Sequence, residues 1–196
     1  MEKEALKRIF EFLEEKEEHN KPLKLKLIFN EPLTEEELNV KGNLNLEFAK
    51  ITSLPEGLKV SGFLSLRDTN ITSLPEDLKV GGGLDLRNCK KITSLPKRLE
   101  VGKYLWLAET NITSLPEGLV VREFLDLYSC SYLYSLPEGL KVAGNLDLSY
   151  SNITSLPKGL KVGGLIRIGY TSLKKYTDEQ IREMVKPGFI KGKIFR

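Results

Sequence analysis

The chain has 196 residues, 40% of them hydrophobic, and its 30 Lys and Arg against 27 Asp and Glu leave a net charge of only +3. That is enough apolar material for one continuous core, and too even a charge for a dedicated nucleic-acid binder, which shows a clustered basic field. No apolar run approaches the roughly 18–20 residues that span a bilayer. The opening Met1-Glu2-Lys3-Glu4 has no basic stretch leading into an apolar one, so the expected location is a cytoplasm.

From the N-terminus, Leu6, Ile9, Phe10 and Leu13 fall at helical spacing among charges and predict a capping helix within residues 2–18. Lys24-Leu25-Lys26-Leu27 alternates with a period of two and predicts a strand. Residues 1–37 are thus expected to form an N-terminal cap of helix and strand. Leu38, Val40, Leu44 and Leu46 then open a regular pattern.

That pattern is the dominant feature of the chain. Leu-Pro pairs begin at Leu54, Leu74, Leu95, Leu115, Leu136 and Leu156, spaced by 20 or 21 residues. So short a period leaves room for one coil of a solenoid and little else. Between Leu54 and Ser73 the apolar positions are Leu54, Leu58, Val60, Leu64, Leu66 and Ile71. Leu64 and Leu66 alternate with Phe63, Ser65 and Arg67, the mark of a strand with one buried face. Leu58 and Val60 make a second, shorter alternation, and Pro55 and Gly57 punctuate the bend before it. Each coil reads as two short extended segments wound around inward leucines. Residues 38–173 are expected to be a mainly β solenoid of parallel strands.

Longer coils take their extra residue after cysteine, as in Leu84, Leu86, Cys89, Ile92 and in Leu125, Leu127, Cys130, Leu133. Coils stack about 4.8 Å apart, which places Cys89 and Cys130 roughly 10 Å from each other. A disulfide needs Cα atoms within about 7 Å. Both are expected to be free, inward thiols, as in a reducing compartment.

Beyond the repeat, Thr177 with Gln180 makes a capping box for a short helix carrying Ile181, Met184 and Val185. Pro187-Gly188 stops it, and 189–195 is expected to return as a covering strand. Residues 174–196 thus read as a helix-strand C-terminal cap.

The run L-x-L-x-x-T-x-I, with its longer cysteine form, resembles the leucine-rich repeat family, and above all the short Leu-Pro repeats of bacterial and bacteriophage proteins. The resemblance covers about residues 38–173. It departs at the ladder position usually held by Asn, which carries Ala49, Thr69, Cys89, Thr110, Cys130, Ser151 and Thr171. It departs also at the family's first leucine, replaced by Ser61, Gly81, Gly102, Arg122, Ala143 and Gly163. Those changes predict a straighter, flatter body with little or no helix per coil. The resemblance implies a viral or prophage protein acting on host machinery.

Catalytic chemistry is hard to assemble here. His19 is the only histidine, the two cysteines cannot build a zinc site, and Gly81-Gly82-Gly83 lacks the Lys and Ser of a phosphate loop. No catalytic residue, metal or cofactor is expected. Asn70-Ile71-Thr72, Asn111-Ile112-Thr113 and Asn152-Ile153-Thr154 match the glycosylation acceptor pattern but read as by-products of the repeat. Lys59, Lys79, Lys141 and Lys161 form a column interrupted by Glu100 and Val120, and read as a solvated face.

Uniform columns serve the scaffold, so an exposed column that varies carries more information. Around the major strand of each coil the outward positions include Phe63, Arg67, Asp85, Arg87, Tyr104, Trp106, Phe124, Asp126, Tyr128 and Asp147. Aromatic side chains and arginine with a polar rim are the composition of protein-binding hot spots. The expectation is a monomeric, non-enzymatic module that docks an unidentified protein on this face, without small-molecule substrate or membrane contact. Self-assembly into a particle or fibre is the alternative, and nucleic-acid binding through the lysine column and Arg67 and Arg87 a third.

Overall fold

A computed structural model describes residues 7–8 and 21–196 of the chain. The capping helix expected around Ile9, Phe10 and Leu13, and with it His19, lies outside the described residues.

Each coil carries two short parallel strands. The minor series is β1 (Asn39–Val40), β3 (Lys59–Val60), β5 (Lys79–Val80), β7 (Glu100–Val101), β9 (Val120–Val121), β11 (Lys141–Val142), β13 (Lys161–Val162) and β15 (Phe189–Ile190). The major series is β2 (Leu44–Asn45), β4 (Leu64–Ser65), β6 (Leu84–Asp85), β8 (Leu105–Trp106), β10 (Phe124–Asp126), β12 (Asn145–Asp147), β14 (Ile166–Arg167) and β16 (Ile194–Phe195). The major strands form one unbroken eight-stranded sheet, in the order β2-β4-β6-β8-β10-β12-β14-β16. The fold is therefore mainly β, a parallel solenoid, with no helix between β1 and β14.

Register follows the leucines. Leu44 pairs with Leu64, Leu64 with Leu84, Leu84 with Leu105, Leu105 with Leu125 and Leu125 with Leu146. Because side chains alternate along a strand, in-register pairing piles identical letters into columns. The inner columns, Leu64/Leu84/Leu105 and Leu66/Leu86/Leu107 among them, are fully buried in one continuous core.

Behind each major strand from β2 to β14 the chain turns through a residue with positive φ: Phe48, Asp68, Asn88, Glu109, Ser129, Tyr150 and Tyr170. A non-glycine residue pays about 1–2 kcal/mol for that conformation. The corner is held by its own amide, which donates to the next coil: Asp68 to Arg87 O at 3.0 Å, Glu109 to Tyr128 O at 2.8 Å. The following ladder position is satisfied as its residue types require. Thr69, Thr110, Ser151 and Thr171 hydroxyls donate to leucine or isoleucine carbonyls of their own coil at 2.6–2.7 Å. The Cys89 and Cys130 thiols reach back instead to the preceding coil, to Leu66 O at 3.0 Å and Leu107 O at 3.1 Å. Both cysteines are free and buried.

The minor strands form two sheets rather than one, β1-β3-β5-β7 and β9-β11-β13-β15, with no pairing between β7 and β9. Lys141 and Ala143 donate to Leu119 O and Val121 O at 3.4 and 2.9 Å; their counterparts Val120 and Arg122 make no such bond to Leu99 and Val101. A rift of about 560 Å³, lined by Leu99, Val101, Gly118 and Arg122, opens there. Leu99 and Val101 are 9% and 7% exposed, against 0% for Leu140 and 1% for Val142. The turns change type at the same place, although β3 and β5 stay paired across the similar change from Gly57 to Asp77. Gly57, Gly118, Gly139 and Gly159 take positive φ at the third position of a Pro-x-Gly-Leu turn, the type II signature. Asp77 and Arg98 occupy that position in the two coils between and do not. The rift falls where the Arg98 turn meets the Gly118 turn.

The ends differ from expectation in detail. Lys24–Leu27 is not a strand: Leu23–Ile28 is a short helix, α1, preceded by Pro22 and followed by Asn30 at φ 54°. Its alternation spans only four residues and no neighbouring strand pairs with it. Helical geometry instead buries Leu27 while Lys26 bonds Glu37 at 2.8 Å. At the other end Asp178–Met184 is a helix, α2, with the Thr177–Gln180 capping box formed. The segment after it contributes two strands rather than one cover. β15 and β16 pair in parallel with β13 and β14 and continue both sheets.

Candidate functional site

The outer surface of the major sheet is built from positions that the pleat turns away from the leucines. Phe63 and Tyr104 flank Gly83 so closely that a Cβ there would meet ring carbons of both at 3.2 Å. The missing side chain lets the two rings lean together above coil three. Trp106, one strand position further on, stacks on Tyr104 with centroids 5.4 Å apart and meets Phe63 edge-on at 5.6 Å. The Arg87 guanidinium lies 4.9 Å from the indole centre, a cation–π contact. Phe124 is placed beside Tyr104 by the β8–β10 register, one coil on. These side chains are half-buried; Tyr128 is exposed.

Beside the rings lies an open concavity of about 690 Å³, bordered by Asn43, Asn45, Phe63, Arg67, Arg87 and Trp106. Its charges are largely paired. Arg87 clasps Asp85 with two hydrogen bonds at 2.9 and 2.6 Å, which raises its already high pKa. Arg67 sits 3.2 Å from Asp68 and 3.6 Å from Glu47. The neighbouring Glu123 carboxylate raises the Tyr104 hydroxyl pKa.

The acidic column has a task that composition did not reveal. Oδ1 of Asn45, Asp85, Asp126 and Asp147 each accepts the amide two residues on, of Glu47, Arg87, Tyr128 and Ser149, at 2.9–3.0 Å. These Asx turns end the major strand and start the corner. An Asn or Asp recurring in one column, three residues before the positive-φ corner, is the signal that could have disclosed it. Asp85 is only 2% exposed and both its oxygens are engaged, so it holds Arg87 rather than facing outward.

Asp126 and Asp147 differ from Asp85. They are neighbours in register on β10 and β12 and half-buried. The nearest cation to Asp147 is Arg167 at 3.8 Å, and no ion pair reaches Asp126 among the described residues. Burial pushes the Asp126 carboxyl above its ordinary value; the Tyr128 amide opposes this, the Asp147 charge adds to it, and Arg87 opposes it from further off. Past them, Tyr128, Tyr150 and Tyr170 form a ladder with centroids 5.2 and 4.2 Å apart, a feature the sequence reading did not include.

All the aromatic and charged residues expected on this face therefore lie on one sheet surface, with Asp85 beneath it. Elsewhere among the described residues the two thiols are the candidate nucleophiles. Burial raises the Cys89 thiol and pushes Cys130 up to about 11, which suits packing and not nucleophilic attack. No cluster of three or more metal-ligating side chains occurs among the described residues. Asn111 and Asn152 spend their side-chain amides on Lys90 O and Ser131 O of the preceding coil, at 2.7 and 2.6 Å. Lys59, Lys79, Lys141 and Lys161 are exposed, and Lys79 pairs with Glu100 at 2.7 Å. No family model matches the chain, and no curated protein is recognisably similar to it.

Proposed function

We propose that this solenoid is a non-enzymatic protein-interaction module that docks its partner on the outer surface of the major sheet. The observation that carries the reading is the cluster of Phe63, Tyr104, Trp106 and Arg87 beside an open concavity, where the repeat loses its uniformity. Two rings packed on an indole and backed by a guanidinium form a pre-ordered platform. Little side-chain entropy remains to be lost when a partner covers it. The eight strands at about 4.8 Å spacing make a face wide enough for a standard interface of about 800 Å² per partner.

The repeat pattern resembles that of leucine-rich repeat proteins, and its short Leu-Pro form resembles those of bacteria and their phages. A phage or prophage protein acting on a host protein in the cytoplasm is the finer form of the proposal, and it rests on that resemblance. Self-assembly is disfavoured by the C-terminal edge. Lys191, Lys193 and Arg196 surround the two-residue strands β15 and β16 and discourage strand addition. The lysine column is a poor nucleic-acid track, broken by Glu100 and Val120.

The test is the double variant Trp106→Asp, Phe124→Asp, used as bait beside the unmodified protein in extracts of candidate hosts, with bound proteins quantified by mass spectrometry. The partner should be lost at least tenfold while circular dichroism stays unchanged. Equal recovery on both baits would exclude this face.

A further inference from the structure

The docking face is electrostatically lopsided, and the imbalance specifies what lies on it. On the concave half, Arg67 and Arg87 are each matched by a carboxylate within 4 Å. Beyond the Tyr104–Trp106 stack, Asp126 and Asp147 stand side by side, half-buried, offset by Arg167 at 3.8 Å from Asp147 and by Arg87 further off from Asp126. Two adjacent carboxylates in partly desolvated surroundings repel each other, and a cation between them removes that repulsion. The nearby exposed ring of Tyr128 adds to the attraction, since aromatic rings favour guanidinium and ammonium groups.

Resting on the docking surface proposed above, we propose that its occupant is an extended peptide segment of the partner. This segment lays an apolar side chain in the concavity and an arginine or lysine in the Asp126–Asp147 notch. Register sets the spacing. The concavity is centred on Ser65 and Asp85, and the notch lies about three coils further along the solenoid. At about 4.8 Å per coil the two points are roughly 14 Å apart, or about four residues of extended chain. The motif is thus an apolar residue and a basic one separated by about four positions, crossing the Trp106 ridge.

The carboxylates can be neutralised without disturbing the fold, because Asn45 makes the same Asx turn in the first coil that Asp126 and Asp147 make in theirs. A displayed library of random twelve-residue peptides is selected on the full-length protein, and enriched peptides are titrated against it. Enrichment of the spaced apolar-basic pair is expected. Affinity should fall about tenfold or more in the Asp126→Asn, Asp147→Asn double variant. The same loss is expected on the unmodified protein when the peptide's basic residue becomes Gln, a control that needs no protein variant to fold. Peptides enriched without a basic residue, or binding unchanged by Asp126→Asn, Asp147→Asn yet abolished by Trp106→Asp, would overturn the cationic motif and leave the docking face standing. Binding indifferent to Trp106→Asp as well would remove both.

Discussion

The two sides of each coil obey the same repeat yet behave differently. The major sheet is continuous through eight strands and varies in its exposed side chains, whereas the minor series carries lysine at four of its eight outward positions and breaks its backbone pairing between β7 and β9. The inner positions of both sides are leucine, isoleucine and valine throughout, so the difference does not arise in the core. It arises at the corners. Major strands turn through positive-φ residues in coil after coil, four of them by way of an Asx turn. Minor strands start from a turn that changes type between Gly57, Asp77, Arg98 and Gly118. Uniform corners keep the backbone in register and leave the outward side chains free to vary, which a recognition surface needs.

The largest effect that could break this comparison lies in the core beneath the two sides. Leu105→Ala, under the unbroken sheet, is expected to cost about 3–5 kcal/mol of unfolding free energy. Leu99→Ala, beside the rift, should cost nearer 2 kcal/mol, because a solvent-reached site leaves less cavity behind. Equal losses in denaturant titrations would mean that the minor side is as tightly closed as the major one.

Amide exchange sharpens the contrast at smaller energies. The Val120 and Arg122 amides should exchange orders of magnitude faster than those of Leu105 and Leu107. Replacing both Asp77 and Arg98 by Gly should give every minor turn the same geometry, join the two sheets and slow Arg122 exchange towards that of Ala143. The net stability change should stay within about 1 kcal/mol, since each added glycine also loosens the unfolded chain. Fast exchange persisting in the double-glycine variant would dissociate the rift from turn type.

The smallest expected effect concerns Asp126. A carboxyl whose folded pKa is raised binds its proton more readily in the native state, so its contribution to stability falls as pH rises through the carboxylate range. Asp126→Asn should therefore leave stability the same or slightly higher at pH 7. That gain should disappear below about pH 4, where the unfolded-state carboxyl is also protonated. A loss at pH 7 would indicate that the charged form is stabilised in the fold.

Much of the architecture was legible because its cause is periodic. Leu64, Leu66 and their equivalents repeat with the coil, and so do the cysteine-marked insertions, which fixes strands, register and inward thiols. Phe63, Tyr104 and Trp106 could be assigned to one face by counting alone. Three features were hidden because they depend on neighbours in space. Asp85 looked outward by alternation but is covered by Arg87. Lys24–Leu27 alternates like a strand, yet lacks a partner and folds as a helical turn. The rift falls between two turns of different type twenty residues apart (Arg98 and Gly118), and neither turn marks it alone.

Trp106 is the only tryptophan in the chain, so its fluorescence reports on the docking face without background. Titrating a selected peptide or captured partner into the full-length protein should shift the emission to the blue and protect the indole from acrylamide, saturating at the same concentration as binding. Saturable binding that leaves Trp106 emission and quenching unchanged would show that the partner docks elsewhere.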